Sequence, residues 1–207
     1  YATLNPLKQG SNSSLSDGNL KYLRTSNGYS QTLATIGVSS GKYYYEHDFT
    51  GSQNNAIAAG IVPIDSTATY PGEDANSVGY NFNGTKVINT SQIGYGDSYD
   101  DGDVIGVAFD ADIGTVQFYK NGANQGTATS ALTSGPYTAG VSGWGNSTGS
   151  VMNFGQKPFK YAPPEGFKSL SSAGAKPATV ISDPTQFVGL TTYNGNAGTK
   201  NIDAGMS

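Results

Sequence analysis

Few residues in this sequence could perform acid–base or nucleophilic chemistry. His47 is the single histidine and cysteine is absent, so disulfides and thiolate metal sites are excluded. His47 has two interpretations: a pH-sensitive or catalytic group, or a core histidine hydrogen-bonded to a tyrosine or a backbone carbonyl. No serine or cysteine nucleophile motif accompanies it, which favours the core histidine.

Carboxylates are concentrated in two polar loops. The first, residues 63–77, carries Glu73 and Asp74, and the second, residues 91–101, ends in an acidic run that continues to Asp103. The spacing is not that of an EF-hand, so a solvated acidic loop is the simpler interpretation and an irregular calcium site is the alternative. A glycosidase with paired carboxylates is the remaining enzyme class. We predict no catalytic residue, no metal and no cofactor.

Aromatic side chains on loops are better candidates, and the chemistry they offer is binding. Trp144, the single tryptophan, lies in the glycine-rich loop 143–149, and Tyr70 lies in the long loop 63–77. An exposed aromatic side chain supplies contact area and a hydrogen-bonding tip at little entropic cost. This suits a peptide or a sugar ring equally.

A framework of short strands must hold these loops, and its centre is the stretch 102–126. Residues 103–109 form a continuous apolar run, and residues 110–114 carry the Asp and Gly of a tight reversal. Residues 115–120 then alternate between apolar and polar, and Asn121-Gly122 is the strongest short hairpin signal. The pattern predicts a central antiparallel hairpin of a β-sandwich, with Val104, Ile105, Val107, Phe109, Val116 and Phe118 in or against the core. A polar connection at 125–134 is predicted to follow the hairpin.

The same stretch resembles the core motif of the SPRY domain family. Three further segments match that family in order: GKYYYE at 41–46, GPYTAGVS at 135–142, and NFGQKPF at 153–159 with PPEGF at 163–167. The resemblance implies an all-β fold, an antiparallel two-sheet β-sandwich of concanavalin-like jelly-roll topology. It also implies that the Tyr43, Tyr45, His47 and Phe49 face of the strand at 42–50 points inward.

The resemblance also implies where a ligand would bind. Trp144-Gly145 resembles a Trp-Gly pair of ligand-gripping SPRY domains, and Tyr70 resembles their ligand-contacting tyrosine, although Pro71 and Gly72 follow it directly. We therefore predict a ligand-binding face at one end of the sandwich, made of Tyr70, Tyr95, Tyr99, Trp144, Gly145 and Asn146. The alternative is that Trp144 packs over a neighbouring loop.

Composition limits the partners. The formal net charge is −4 and no basic run is present, so we expect no nucleic-acid partner. No apolar run approaches the roughly 20 residues of a membrane helix, so we expect no membrane partner. The chain begins at Tyr1 and no signal peptide is visible, so we expect a processed N-terminus or a piece of a longer protein.

The amino-acid composition becomes typical of a linker after residue 170, and the predicted domain organisation follows from this change. We predict a SPRY-like sandwich at 1–170, a linker at 171–184, and a short β segment at 185–207 that begins a further unit or serves as an assembly arm. That tail resembles segments of phage and bacterial surface proteins.

The functional hypothesis is a non-enzymatic phage virion surface component, either a tail fibre or a capsid decoration. It would lie on the virion surface or outside the cell, form homo-oligomers, and bind virion subunits and a host-surface protein or glycan. The alternative is a soluble SPRY recognition domain that binds a short peptide or a glycan through its loops.

Overall fold

A computed structural model describes residues 1–50, 57–174 and 198 of the chain. One compact unit comprises Tyr1–Ala175, and a second comprises Lys176–Ser207. The predicted short β segment and most of the predicted linker lie outside the described residues, so they stay predictions. Within the described ranges, no helix is long and apolar enough to cross a membrane.

Strands dominate the described residues, and a 3₁₀ turn at Pro6–Lys8 is their one helical element. The strands are β1 (Ser13–Ser16), β2 (Lys21–Arg24), β3 (Ser30–Leu33), β4 (Lys42–Thr50), β5 (Ile57–Pro63), β6 (Val78–Asn81), β7 (Thr85–Ile88), β8 (Ser91–Gly94), β9 (Val104–Asp110), β10 (Thr115–Lys120), β11 (Ala123–Thr129), β12 (Tyr137–Gly143), β13 (Gly149–Asn153) and β14 (Lys168–Ser169).

The strands form two sheets that pack face to face. The eight-stranded sheet has the order β1-β2-β13-β4-β9-β10-β11, with β14 pairing parallel to β4. The six-stranded sheet has the order β3-β12-β5-β6-β7-β8, and every other strand pair is antiparallel. The predicted all-β sandwich is therefore confirmed.

The core lies between the sheets and matches the predicted pattern closely. β4 and β10 have the predicted bounds, and β9 begins and ends one residue later than predicted. The inward residues alternate along each strand, as the period of two requires. Val104 is buried but belongs to the other face of β9, whereas the inter-sheet core includes Tyr43, Tyr45, Phe49, Ile105, Val107, Phe109, Val116 and Phe118.

Two edge strands occur where the sequence predicted polar loops. β8 lies within residues 91–101, and β11 overlaps the predicted polar connection 125–134. Every residue of β8 is exposed, and β11 buries only Ala128. An exposed edge strand has no apolar alternation to reveal it, so these two predictions were wrong.

His47 is a core residue, 2% exposed. Its Nδ1 forms a hydrogen bond with the Ser150 hydroxyl, so the predicted tyrosine or carbonyl partner was wrong. The other ring nitrogen, Nε2, has no hydrogen-bond partner in the described part of the chain. Burial lowers the pKa of His47 to about 3, which keeps the ring neutral at physiological pH.

Residues 155–167 cover the outer face of the eight-stranded sheet. They cross the sheet above β4, where the Phe159 ring packs edge-on against Tyr44 at 5.0 Å. The buried Glu46 carboxylate accepts hydrogen bonds from the backbone amides of Lys160 and Tyr161, both at 2.9 Å. Asn153 Nδ2 donates a third, at 3.3 Å. The carboxylate therefore fastens this segment to the sheet.

Candidate functional site

Three aromatic rings meet on the outer side of the six-stranded sheet. The Tyr29 ring lies 4.6 Å from the Tyr70 ring and 4.9 Å from the Trp144 ring, the second contact being edge-on. Trp144 remains 45% exposed, and both tyrosines are half-buried. We call Tyr29, Tyr70 and Trp144 the aromatic cluster. Tyr70 and Trp144, predicted as site residues, are thus brought together, with Tyr29 between them.

Backbone hydrogen bonds join the turn that holds Tyr29 to the loop that holds Trp144. The Gly28 amide donates to the Trp144 carbonyl at 2.9 Å. A few residues before Gly28, the Arg24 amide donates to the Thr148 carbonyl, and the Ser147 amide donates to the Arg24 carbonyl. Because these bonds join main-chain atoms, they fix the spacing of the two backbone segments that carry the rings.

The buried guanidinium group of Arg24 stabilises the same turn. Arg24 is 1% exposed and donates to the carbonyl oxygens of Ser11, Ser26 and Gly28. It takes part in none of the three ion pairs found among the described residues. Hydrogen bonds from a charged donor are stronger than neutral ones, so Arg24 ties the N-terminal segment to the turn before Tyr29.

Tyr70 is positioned by a row of glycines. Gly140, Gly60 and Gly79 are Cα partners across three neighbouring strands, β12, β5 and β6. A Cβ atom on Gly79 would lie 2.2 Å from the Pro71 carbonyl oxygen, and one on Gly60 would lie 2.4 Å from Pro71 Cβ. The absence of side chains at this row lets Pro71 rest directly on the sheet, which places Tyr70 beside Tyr29.

A groove opens next to the aromatic cluster at the β3 edge of the sheet. Its volume is about 270 Å³, and its lining comes from residues 8–11, 29–31 and 66–69. Lys8 is the one charged lining residue, while Gln31 and Ser30 form buried parts of the wall. Gln31 Oε1 and Ser30 Oγ are buried without a hydrogen-bond partner in the described structure. The groove therefore combines a polar floor with an aromatic neighbour.

The hydroxyl groups of the cluster remain protonated at neutral pH. Burial raises the pKa of Tyr29. Burial also raises the pKa of Tyr70, helped by the nearby Glu73 carboxylate. Both tyrosines can thus donate as well as accept hydrogen bonds, which supports binding rather than proton transfer.

Two predicted site residues lie elsewhere. Tyr95 follows β8, which is the edge of the six-stranded sheet opposite β3, about 24 Å away at five strand spacings. Its hydroxyl donates to the Gly126 carbonyl and accepts from the Phe118 amide. Tyr99 is 3% exposed and donates to the Tyr80 carbonyl at 2.7 Å. The pairing register aligns the ends of β6 and β8 with the end of β12, so both tyrosines lie at the same end of the sandwich as Trp144 but across the width of the sheet. Ligand contact by Tyr95 and Tyr99 stays a prediction.

The remaining two predicted residues flank the cluster. Gly145 is buried, and its carbonyl accepts from the Thr148 amide at 3.2 Å, so its role in this conformation is to shape the loop. Asn146 is exposed, and its amide donates to Asn27 Oδ1. Ligand contact by Tyr70, Trp144, Gly145 and Asn146 stays a prediction.

Hydrogen bonds and an ion pair to Asp103 hold the acidic loop before β9 in place. Asp103 accepts from the Asp100 amide and from Asn121 Nδ2, and it pairs with Lys120 at 3.4 Å. Hydrogen bonds and the lysine outweigh burial and lower the pKa of Asp103. Within the described ranges, no group of three or more His, Cys, Asp or Glu side chains could hold a metal ion.

Sequence reasoning missed Tyr29, Gln31 and residues 8–11. The Asn27-Gly28 pair is a turn signal that could have marked Tyr29 as a loop residue next to a strand. Nothing local indicates that residues 8–11 line a groove, since the segment meets β3 only through tertiary packing.

Comparisons with known sequences agree on one protein family. A family model described as the SPRY domain matches residues 25–157. An ATP-dependent RNA helicase DDX1 of Xenopus laevis is 30% identical over 175 residues, covering 82% of this chain and 23% of that protein. An E3 ubiquitin-protein ligase RKP of Arabidopsis thaliana is 32% identical over 156 residues, covering 70% and 12%. The chain thus spans about a quarter or less of these relatives.

Solved structures agree on the fold. The SPRY domain of human HERC1 has a TM-score of 0.64 and 19% identity, covering 75% of this chain and 99% of that one. A second human SPRY domain has a TM-score of 0.61 and 18% identity, covering 71% and 98%. At such identities the likeness concerns the fold alone.

Proposed function

Given that the chain belongs to the SPRY domain family, we propose that it is a recognition module that binds a short peptide of a partner protein at the aromatic cluster. The observation that carries the proposal is the exposed Trp144 ring, held against Tyr29 beside an open polar groove. SPRY domains are protein-interaction modules, so peptide binding is the family-consistent use of such a face.

The physics of the cluster supports binding. Aromatic side chains dominate binding energy where they are rigid and partly exposed. Main-chain hydrogen bonds on both sides hold the Trp144 loop, and the Tyr29 ring buttresses the indole. A pre-organised anchor of this kind loses little conformational entropy when a ligand docks.

The relatives favour this proposal over the phage hypothesis. The relatives compared above come from an amphibian and a plant, and further matches come from Dictyostelium discoideum and Drosophila melanogaster. Tail-fibre and capsid roles find no support among them. A virion-surface location and homo-oligomerisation stay predictions that no observation tests.

The activities in the relatives' names belong to longer proteins. Helicase, kinase and ubiquitin-ligase names describe chains of which this sequence covers 23%, 6% and 12%. We propose no catalytic step for this chain. In our proposal its contribution is to hold a partner, whatever chemistry a longer protein would add.

The proposal is tested by selecting a displayed library of random 12-residue peptides on the purified chain. Intrinsic fluorescence is a direct readout, because Trp144 is the single tryptophan. We expect selected peptides to shift its emission, and we expect Tyr70→Ala to weaken binding in the same titration.

Calorimetry extends the test to Trp144→Ala, which has lost the fluorophore. Ile113→Ala is the matched control, because Ile113 is a 61% exposed apolar residue on the β9–β10 turn, away from the cluster. Peptide binding that is unchanged in both Trp144→Ala and Tyr70→Ala would contradict the proposal.

A further inference from the structure

The hydroxyl group of Tyr22 lies at the end of the β3–β12 strand pair. Tyr22 belongs to β2 of the eight-stranded sheet and is 0% exposed, and its side chain crosses the core to the other sheet. The hydroxyl donates to the Ser30 carbonyl at 2.7 Å and accepts from the Gly143 amide at 3.2 Å. Ser30 and Gly143 are Cα partners, and theirs is the last pair of the β3–β12 register. One side-chain atom from the opposite sheet is therefore bonded to both strands where their pairing ends.

Both strands lead directly into the aromatic cluster at this point. Tyr29 immediately precedes Ser30, and Trp144 immediately follows Gly143. The rings of Tyr29 and Trp144 contact each other at 4.9 Å. Each ring is thus one residue away from a backbone group that is bonded to the Tyr22 hydroxyl. The hydroxyl constrains the two backbone positions from which the rings project.

The core does not require this hydroxyl group for its packing. A phenylalanine ring would fill nearly the same volume, whereas a buried tyrosine hydroxyl must find hydrogen-bond partners. Burial raises the pKa of Tyr22 to about 12, so the group stays protonated at neutral pH and can donate and accept at once. What the hydroxyl adds to the ring is the link to the two strands beside the cluster.

Other contacts hold the two loops beyond the strand ends. The Gly28 amide donates to the Trp144 carbonyl, and Arg24 donates to the carbonyl oxygens of Ser26 and Gly28. These bonds join the loops to each other and to β2. Tyr22 acts at a different place, because it bonds to the pair of strand residues from which the loops begin.

We propose that Tyr22 is a positioning residue for the aromatic cluster, because its hydroxyl group fixes the strand spacing at which the Tyr29 and Trp144 rings meet. Tyr22 is buried beneath the cluster, so it touches no ligand and acts through the two rings. Its effect on binding rests on the proposed function. Its effect on the geometry of the rings does not, and that effect is measured on the free chain.

The first test uses the fluorescence of the free chain, because Trp144 is the single tryptophan. In Tyr22→Phe the two strand ends lose their common partner, so the indole should move away from Tyr29 and meet more water. We expect the emission maximum to shift to longer wavelength and acrylamide quenching to increase. Both are measured at a temperature at which circular dichroism shows the variant to be folded.

Tyr99→Phe is the matched control. Tyr99 is 3% exposed and donates to the Tyr80 carbonyl at 2.7 Å, beside β6 and two strands away from β12. Both variants should unfold at a lower temperature, since each leaves a buried backbone carbonyl short of a donor. The emission of Trp144 should change in Tyr22→Phe and stay constant in Tyr99→Phe. An equal spectral change in both variants, or none in Tyr22→Phe, would overturn the proposal.

The second test measures Kd by calorimetry for a peptide selected on the wild-type chain. Tyr22→Phe should weaken binding about tenfold, because the ligand must then bring the two rings together, and Tyr99→Phe should leave Kd unchanged. Equal affinity of Tyr22→Phe and wild type for a peptide that requires Trp144 would overturn the role of Tyr22 in binding and leave the proposed function standing. Peptides that bind Trp144→Ala as tightly as wild type would contradict the proposed function, and the emission spectra would still decide the positioning of the rings.

If Tyr22→Phe does not fold, amide hydrogen exchange of the wild-type chain decides the proposal. Amides at the end of a strand pair exchange rapidly when the pair frays. The Gly143 amide, bonded to a buried hydroxyl, should instead exchange as slowly as the amides of residues 139–141 in the middle of β12. Rapid exchange at Gly143 would overturn the proposal.

Discussion

The two outer faces of the sandwich are covered in opposite ways. On the eight-stranded sheet, residues 155–167 lie flat, and the buried Glu46 carboxylate accepts two of their amides at 2.9 Å. On the six-stranded sheet, Pro71 rests on the glycine row, and the loop reaches Gln31 of β3 through Ala68 but leaves a groove open between itself and residues 8–11. There Gln31 Oε1 stays unpartnered among the described residues.

The difference separates a structural cover from the face at which we propose binding. Where the segment lies flat and its amides bond to the buried Glu46 carboxylate, it contributes stability. Where an aromatic ring such as Trp144 stays 45% exposed beside an open groove, a ligand can cover apolar surface that folding left in water. Substitutions on the first face should therefore affect folding, and those on the second should affect binding.

Glu46→Ala should have the largest effect on stability. The substitution leaves the amides of Lys160 and Tyr161 without their acceptor, so we expect the free energy of unfolding to fall by about 3–5 kcal/mol. Chemical denaturation measures it. Glu165→Ala is the control, since Glu165 is exposed on the same segment. Equal midpoints for the two variants would show that Glu46 does not fasten the segment.

Gly79→Ala should damage the binding face and, less strongly, the fold. The added methyl would lie 2.2 Å from the Pro71 carbonyl oxygen, so the loop must lift and carry Tyr70 away from Tyr29. We expect a loss of about 1–3 kcal/mol in stability and weaker peptide binding. Gly94→Ala is matched, because nothing lies within 4 Å of the added atom. Full peptide affinity in Gly79→Ala would refute the role of the glycine row.

Acid should weaken the core beneath both faces. The folded-state pKa of His47 is about 3, below the ordinary 6.5, so the unfolded chain binds the proton more readily. Stability is fully present above pH 6.5 and falls as the pH drops toward 3, by about 2 kcal/mol between pH 7 and pH 5. His47→Leu should lack this component, as denaturation at both pH values would show. An identical pH slope in the two chains would contradict the assignment.

Trp144→Ala should have the smallest effect on folding. The indole is 45% exposed and the loop is held by main-chain bonds, so we expect a stability change within about 1 kcal/mol. Peptide affinity should nevertheless fall strongly. A large destabilisation would instead mean that Trp144 packs as part of the structure, which was the alternative interpretation of this residue.

The sequence by itself determined the sandwich and its centre. The apolar run of β9, the alternation of β10 and the Asn121-Gly122 turn are all local patterns, and β4 was predicted to the residue. Such patterns arise from neighbouring residues, because strand alternation and turn geometry depend on short stretches of backbone. For the same reason Trp144 and Tyr70 could be recognised as loop aromatics.

Only the tertiary structure decided which loops meet. Tyr29 and Trp144 are far apart in sequence, and the pairing of β3 with β12 brings them together. The same register aligns Gly140 with Gly60, and the pairing of β5 with β6 aligns Gly60 with Gly79. Tyr95 and Tyr99 are loop tyrosines, as Tyr70 is, but they lie across the sheet from it. Register and strand order are set by packing of the whole core, so no local pattern could place these residues.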